Sequence, residues 1–355
     1  MIWHDRDRKT VFILGAGATR GALRHVLING KRIPAPLNGD FFEVVEKFVA
    51  ANADDPGLTR RYKRLRRVFQ SEFPTRGRWP IDMEEAFSLL YVSKDFPDIY
   101  ARRPGRRRTS GSRQEIEDFL LLTYRVLSAI ESHSQGDTLY DRMVANLGPH
   151  DAVITLNYDT LLDSALVRAG WDPATGYSLS GGRNKTKWHM PIPPRNTRLN
   201  QVKLLKLHGS LNWYVRGSFS NLAAVFEKKP TKVLVTSKPR INEHKGFIRQ
   251  IIPPIYGKFF KHDHWQDLWT AAHHELLNAE VFVVIGCSLV DSDFHLAALL
   301  GHTVALRKRR QNPFEAIIVV NGVKARKNWI RRLKGSFHAK VAYPRFNRFA
   351  DHHFN

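Results

Sequence analysis

Val11-Phe-Ile-Leu-Gly-Ala-Gly-Ala-Thr19 is the first strongly patterned stretch of the chain. Val11 to Leu14 form a short apolar run, as expected of a parallel strand buried on both faces. Gly15 and Gly17 follow at once, and residues 20–29 are expected to begin a helix. Strand, glycine turn and helix together make the opening unit of a doubly wound α/β sheet. Glycine lets the backbone approach a phosphate closely, and a helix N-terminus adds N–H donors and partial positive charge. Gly15, Ala16 and Gly17 are therefore candidate phosphate contacts, with the Thr19 hydroxyl as a donor or helix cap. A plain strand-to-helix turn accounts for the same residues.

Three later segments have the same form, an apolar strand ending in polar or small residues. Ile154-Thr-Leu-Asn-Tyr-Asp159 places Asn157 and Asp159 beyond a strand, where open α/β sheets carry ligand groups. Asn157 suits a ribose hydroxyl or a water; Asp159 suits electrostatic support, or an Asx turn capping the helix expected over 161–168. Leu207-His-Gly-Ser210 offers His208 as a general base, against the structural role most of the 16 histidines must have. Val281-Phe-Val-Val-Ile-Gly-Cys-Ser288 offers Gly286 and Ser288 to phosphate or ribose, with Cys287 as a small buried residue and Asp291 and Asp293 as helix caps. Asn321 ends the strand 316–320 and can touch a ribose or turn with Gly322. In this order the segments read as a dinucleotide cradle. The third glycine, Gly21, breaks the usual fingerprint spacing, and no acidic residue ends a second strand about twenty positions later, as NAD dehydrogenases require.

Strand and helix alternate at both ends of the chain, and helical patterns gather between Asp40 and Leu147. The expected fold is a Rossmann-like parallel sheet with helices on both faces and a mainly helical insertion. Residues 1–40 and 148–355 would form the sheet domain and 41–147 the insertion. Further helices are expected from Pro80-Ile-Asp-Met-Glu-Glu85, over 265–278 and over 294–306, a strand at 233–235, and irregular structure over 171–200.

The 355 residues carry a formal charge of +23. Basic runs lie at Arg60–Arg67, Arg102–Arg108, Arg307–Arg310 and Lys324–Lys334. Such runs can neutralise phosphates, which favours nucleic acid, or they can form a solvated surface or a site for an acidic protein. One cysteine excludes an internal disulfide and a cysteine zinc cluster. His262, His264, His273 and His274 fit no standard zinc spacing, so no metal is expected. No apolar run reaches the roughly 20 residues of a membrane span, and a cytoplasmic protein is expected.

The combination resembles the sirtuin family, specifically its bacterial NAD-consuming branch in antiphage defence. Gly15-Ala-Gly-Ala-Thr19 resembles that family's GAG-x-[ST] loop, Thr155-Leu-Asn-Tyr-Asp159 its T-x-N-[IY]-D motif, His208-Gly209 its His-Gly pair and Gly286-Cys-Ser288 its G-[TYF]-S motif. Pro36-Leu-Asn-Gly-Asp-Phe41, with Asp40, and Ile252-Pro-Pro254 look like segments common in that branch. The resemblance implies that NAD is the substrate, held by Gly15, Ala16, Gly17, Thr19, Asp40, Gly286, Ser288 and Asn321. Asn157, His208 and Asp159 would cleave its nicotinamide–ribose bond. An enzyme that destroys NAD should be restrained, so low basal activity is expected, released by homo-oligomerisation or by a defence-system protein partner. Sirtuin deacylases carry a four-cysteine zinc module that a single cysteine cannot build, and after Ile33-Pro34 the family's Asp-Phe-Arg does not follow. Protein deacylation, ADP-ribosylation, and a nucleic-acid-binding or scaffold protein with a degenerate NAD fold are the competing readings.

Overall fold

The computed structural model describes residues 8–23, 26–72, 82–95, 111–134, 136–179, 184–187, 197–216, 233–236, 247–253, 255, 263–289 and 293–354. In chain order the elements are β1 (Thr10–Leu14), α1 (Ala16–Ala22), β2 (Val26–Ile28), β3 (Lys31–Ile33), α2 (Phe41–Ala51), α3 (Pro56–Glu72), α4 (Met83–Asp95), α5 (Gly111–His133), α6 (Leu139–Ala145), β4 (Ala152–Thr155), α7 (Leu161–Arg168) and α8 (Pro173–Gly176). There follow β5 (Asn184–Lys187), β6 (Lys203–Lys206), β7 (Gly209–Arg216), β8 (Val233–Thr236), β9 (Phe247–Ile251), α9 (Asp263–Asn278), β10 (Val281–Ile285), α10 (Phe294–Arg309), β11 (Phe314–Val320), α11 (Val323–Arg332), β12 (Phe337–Tyr343) and α12 (Phe346–His353).

Six strands form one all-parallel sheet in the order β12-β11-β10-β1-β4-β6. Starting from β1, the chain builds outward through β4 to β6, then returns beside β1 with β10 and builds the other way. That is the doubly wound, Rossmann-like order, and the reversal at β1 opens a crevice beyond its carboxyl end. Register sets the level of that crevice. Leu14 pairs with both Ile285 and Thr155, so the loops after β1, β10 and β4 leave the sheet side by side. β1 and β10 are buried along their whole length, which is why both read as unbroken apolar runs. A second sheet has the order β5-β8-β7-β9, and its strand β7 begins two residues after β6. Trp171, Tyr177 and Trp213 stack edge to face through the core, and Trp265 of α9 packs on Trp213.

The chain divides into two compact units, residues 1–24, 136–252 and 259–355 in one and 25–135 and 253–258 in the other. The boundaries differ from the 41 and 147 read from sequence. α6 goes with the sheet because the Tyr140 hydroxyl lies 3.0 Å from Thr19 Oγ1, while the β2–β3 hairpin goes with the helices. Within the helical unit, Phe41, Phe42, Phe69, Phe87 and Phe119 pack ring on ring.

Three sequence expectations change. The helix expected over 20–29 is instead α1, ending at Ala22, followed by strand β2. Asn29 and Gly30, both at positive φ, turn β2 into β3, and an Asn-Gly pair is a strong hairpin signal. At the other end the sheet gains β12 as an edge strand, in which half-buried and exposed positions alternate and blur the apolar run. Within 171–200, residues 173–176 form α8 and 184–187 form β5. Pro80, Ile81, Arg102–Arg108, Pro254, His262 and Asp291 lie outside the described residues.

Candidate active site

The loops after β1 and β10 are laced together by backbone. Gly15 N donates to Ile285 O at 3.1 Å and Gly17 N to Gly286 O at 2.9 Å. Gly286 has φ +61, and a Cβ there would sit 2.0 Å from Ala18 N. A Cβ on Gly15 would sit 2.7 Å from the Cys287 Cα. The glycines thus let one loop cross the other, a packing reason where sequence reasoning offered a ligand. Ala16 at the start of α1 and Ser288 remain exposed at this edge. Cys287 is buried, and burial pushes its thiol up to about 12, which fits the small buried residue expected there. Its carbonyl accepts from Asn321 Nδ2 at 2.6 Å and from Trp329 Nε1 at 2.7 Å. Asn321 Oδ1 accepts from Gly322 N at 2.9 Å, so this amide fastens the β11 loop and forms the turn with Gly322.

Asn157, after β4, reaches across to the first loop. Its Nδ2 donates to Gly15 O and to Thr19 Oγ1, each at 3.0 Å. Both amide protons are committed, which fixes the side chain and keeps Oδ1 as its remaining polar atom. Thr19 Oγ1 in turn donates to Asp159 Oδ2 at 2.7 Å. Asp159 Oδ1 accepts from Leu161 N at 3.3 Å, the Asx turn at the start of α7. Burial raises the Asp159 pKa, opposed by Lys206 and by the bond from Thr19. Lys206, buried in β6, donates to Asp159 O at 2.5 Å and Asp163 Oδ2 at 3.0 Å, and the Tyr177 hydroxyl donates to Asp163 Oδ1. Thr19 and Asp159 therefore form a floor beneath Asn157.

His208 occupies the two-residue step between β6 and β7. Gly209 follows at φ +82, where a Cβ would sit 2.1 Å from Gln250 O, so the sharp change of sheet requires glycine. The imidazole is buried, with Nε2 3.5 Å from Asp293 Oδ1. Asp293 stands at the N-cap position of α10, yet its side chain makes no cap bond. Sequence reasoning treated it as a cap; its carboxylate faces His208. A shared scaffold ties His208 to the Asn157 segment: Leu211 N donates to Tyr158 O at 2.9 Å, Tyr158 OH to Ile252 O at 2.6 Å, and Ile252 N to His208 O at 2.8 Å.

The fold thus gathers Gly15, Ala16, Gly17, Thr19, Asn157, Asp159, His208, Gly286, Ser288 and Asn321 on one edge of the parallel sheet. Asp40 lies in the helical unit, where its Oδ1 accepts from Leu37 N at 2.8 Å in a short 3-10 turn. Sequence reasoning missed Tyr140, Lys206 and Asp293. Only Asp293 left a signal, as one of two aspartates after a strand; Tyr140 and Lys206 matter through contacts 121 and 47 residues away. The arrangement can hold a proton on an imidazole beside a carboxylate and present an amide oxygen. No group of three or more His, Cys, Asp or Glu residues is placed for a metal among the described residues. Among them also, no helix is long and apolar enough to cross a membrane.

The sequence model of the SIR2-like domain matches residues 151–336, slightly more than half of the chain. The chain belongs to the SIR2-like domain family. The SIR2-like match takes in Asn157, Asp159, His208, Gly286, Ser288, Asp293 and Asn321; the β1–α1 loop joins them through the sheet. Similar solved structures include a Sir2 homologue in complex with NAD, at 12% identity and TM-score 0.38, covering 98% of this chain and 89% of that one. A Sir2 homologue variant with 2'-O-acetyl ADP ribose has 11% identity and TM-score 0.41, covering 98% and 92%. A Sir2 complex with a p53 peptide and NAD+ has 15% identity and TM-score 0.37, covering 97% and 91%. No curated protein sequence matches the chain.

Proposed function

We propose that this SIR2-like protein is an NAD glycohydrolase, releasing nicotinamide and ADP-ribose. One observation supports the reading above the others. A buried His208–Asp293 pair lies on the same strand-end edge as Asn157, whose amide is locked to Gly15. The nicotinamide–ribose bond breaks with its electron pair moving to the pyridinium nitrogen, so nicotinamide leaves neutral and the ribose becomes oxocarbenium-like. Water adds to the ribose carbon, and His208 takes the water's proton. Asn157 Oδ1 accepts from that water or a ribose hydroxyl. Gly15, Ala16, Gly17, Thr19, Gly286, Ser288 and Asn321 shape the ends of the strand loops against phosphates and riboses. Asp159 acts through Thr19 as electrostatic support, and preorganised dipoles lower the barrier.

The proposed setting is the cytoplasm of a bacterium under phage attack, where cleavage depletes NAD. Basal activity is held low until a defence-system partner or assembly of further copies releases it. Purified protein mixed with NAD tests the chemistry. Slow, basal nicotinamide release is expected from the protein alone, and it is expected to vanish in His208→Ala and Asn157→Ala; release equal to the parent's in both variants sinks the assignment. Deacylation is less well supported, since Cys287 is alone.

A further inference from the structure

Helix α3 of the second unit carries five arginines and one lysine from Arg60 to Arg67, and they divide sharply by partner. Leu58, Tyr62, Leu65 and Phe69 are buried and face the unit's core. On the flanks, Arg61 and Arg64 grip the wholly buried Asp118 at 2.6 and 3.0 Å, and Arg66 meets Glu46 at 3.0 Å. Arg60, Lys63 and Arg67 are exposed and make no ion pair among the described residues. At positions i, i+3 and i+7 they share one helix face, opposite the buried one. Together with Ala53, Pro56, Thr59 and Arg64 they line a groove of about 700 Å³. Arg60 and Arg67 are about 10 Å apart along the axis, with Lys63 between them.

We propose that this groove binds the sugar–phosphate backbone of nucleic acid, without regard to base sequence. Three cations in a row, none with an ion pair among the described residues, suit a run of phosphates better than a single anion. Their carboxylate-paired neighbours show that the helix neutralises cations where the fold needs it and leaves this face open. The overall charge of +23 adds long-range attraction of the same sign. The guanidinium and ammonium groups contact phosphate oxygens, so neither recognition of base edges nor bending of a duplex is required. This inference stands independently of NAD cleavage.

The test uses the full chain and labelled oligonucleotides, single- and double-stranded and of unrelated sequences, titrated between about 50 and 200 mM salt. The triple variant Arg60→Ser, Lys63→Ser, Arg67→Ser is compared with Arg331→Ser, Arg332→Ser, Lys334→Ser, which removes an equal charge from exposed positions at the end of α11. The parent is expected to bind with a steep salt dependence. The α3 variant should weaken binding at least tenfold and lower the slope of log affinity against log salt by roughly two to three. The α11 variant should keep most of the affinity. Circular dichroism and thermal unfolding of each variant confirm an intact fold; should the α3 triple variant unfold, the single substitution Lys63→Ser is read instead, with a slope change of roughly one. The inference is overturned if the parent binds no oligonucleotide at about 50 mM salt, if the α3 and α11 variants lose affinity equally, or if polyglutamate binds the parent and nucleic acid does not.

Discussion

At the scale of single residues, the informative contact is the one between His208 Nε2 and Asp293 Oδ1, 3.5 Å apart and both buried. A carboxylate so placed favours one orientation of the ring and stabilises the imidazolium formed when a proton is taken up. If His208 is the base, Asp293→Asn keeps the shape and removes the charge. Nicotinamide release should then fall about 10- to 100-fold in kcat with little change in KM, and adding Asp293→Asn to His208→Ala should cost little more. A loss confined to KM would instead place Asp293 in substrate binding. Cys287 gives a contrasting prediction. With burial holding its thiol at about 12, maleimide should label native protein slowly at neutral pH, and Cys287→Ala should retain nicotinamide release. Rapid labelling, or loss of activity in a folded Ala variant, would instead make the cysteine a reactive group of the site. His208 and Asn157 were visible in the sequence because each follows a strand. The partner of His208 was not, because an aspartate before a helix reads first as its cap.

At the scale of elements, the parallel strands were legible and the polar ties between them were not. β1, β4, β10 and β11 are short apolar runs, the signature of strands buried on both faces. β6 reads less clearly because Lys203 and Lys206 interrupt it. The structure gives each lysine a buried carboxylate: Lys203 meets Glu275 at 2.7 Å, and Lys206 meets Asp163 at 3.0 Å. Both partners are distant in sequence, so no local pattern could announce them. The second pair joins β6 to α7 beneath the candidate site, with both side chains 1% exposed. Removing one member strands the other charge in the core. Lys206→Ala should therefore cost about 3–5 kcal/mol in urea unfolding, and Lys206→Met with Asp163→Leu less than the sum of its single changes. Additive costs would show that the pair is not coupled. The β1–β10 crossing makes a similar demand on backbone. Gly286→Ala, with φ +61 and no room for Cβ, should lower thermal stability more than Gly301→Ala, whose Cβ meets nothing within 4 Å.

At the scale of the whole molecule, titration offers a test of how the sheet is seated. Asp151 lies before β4, at the opposite end of the strands from the candidate site. Its two oxygens accept from Thr10 N at 2.8 Å and Gly148 N at 2.7 Å, tying the start of β4 to the start of β1. Burial outweighs these bonds and lifts its pKa from 3.8 to about 6. A carboxyl raised on folding stabilises fully below its unfolded value, and that contribution is lost as pH rises through about 6. The full effect is roughly 3 kcal/mol, from 1.36 kcal/mol per pKa unit. Asp159, also raised by burial, acts in the same direction. His273, lowered by burial and then by His302, acts in the opposite one, since its neutral form is favoured on folding. Glu275 is opposed by burial but lowered by Lys203 and Lys9, and its contribution disappears only as pH falls below the ordinary carboxylate range. The parent profile between about pH 4 and 8 is thus a sum of opposed slopes, and the comparison with Asp151→Asn isolates one of them. Urea midpoints read from the buried tryptophans should show the stability gap shifting in favour of the Asn variant as pH rises from about 4 through about 6, by up to the same 3 kcal/mol over that whole span. A gap that stays constant across that range would mean that Asp151 titrates alike in the folded and unfolded chain, and that the junction of β1 and β4 is open to water.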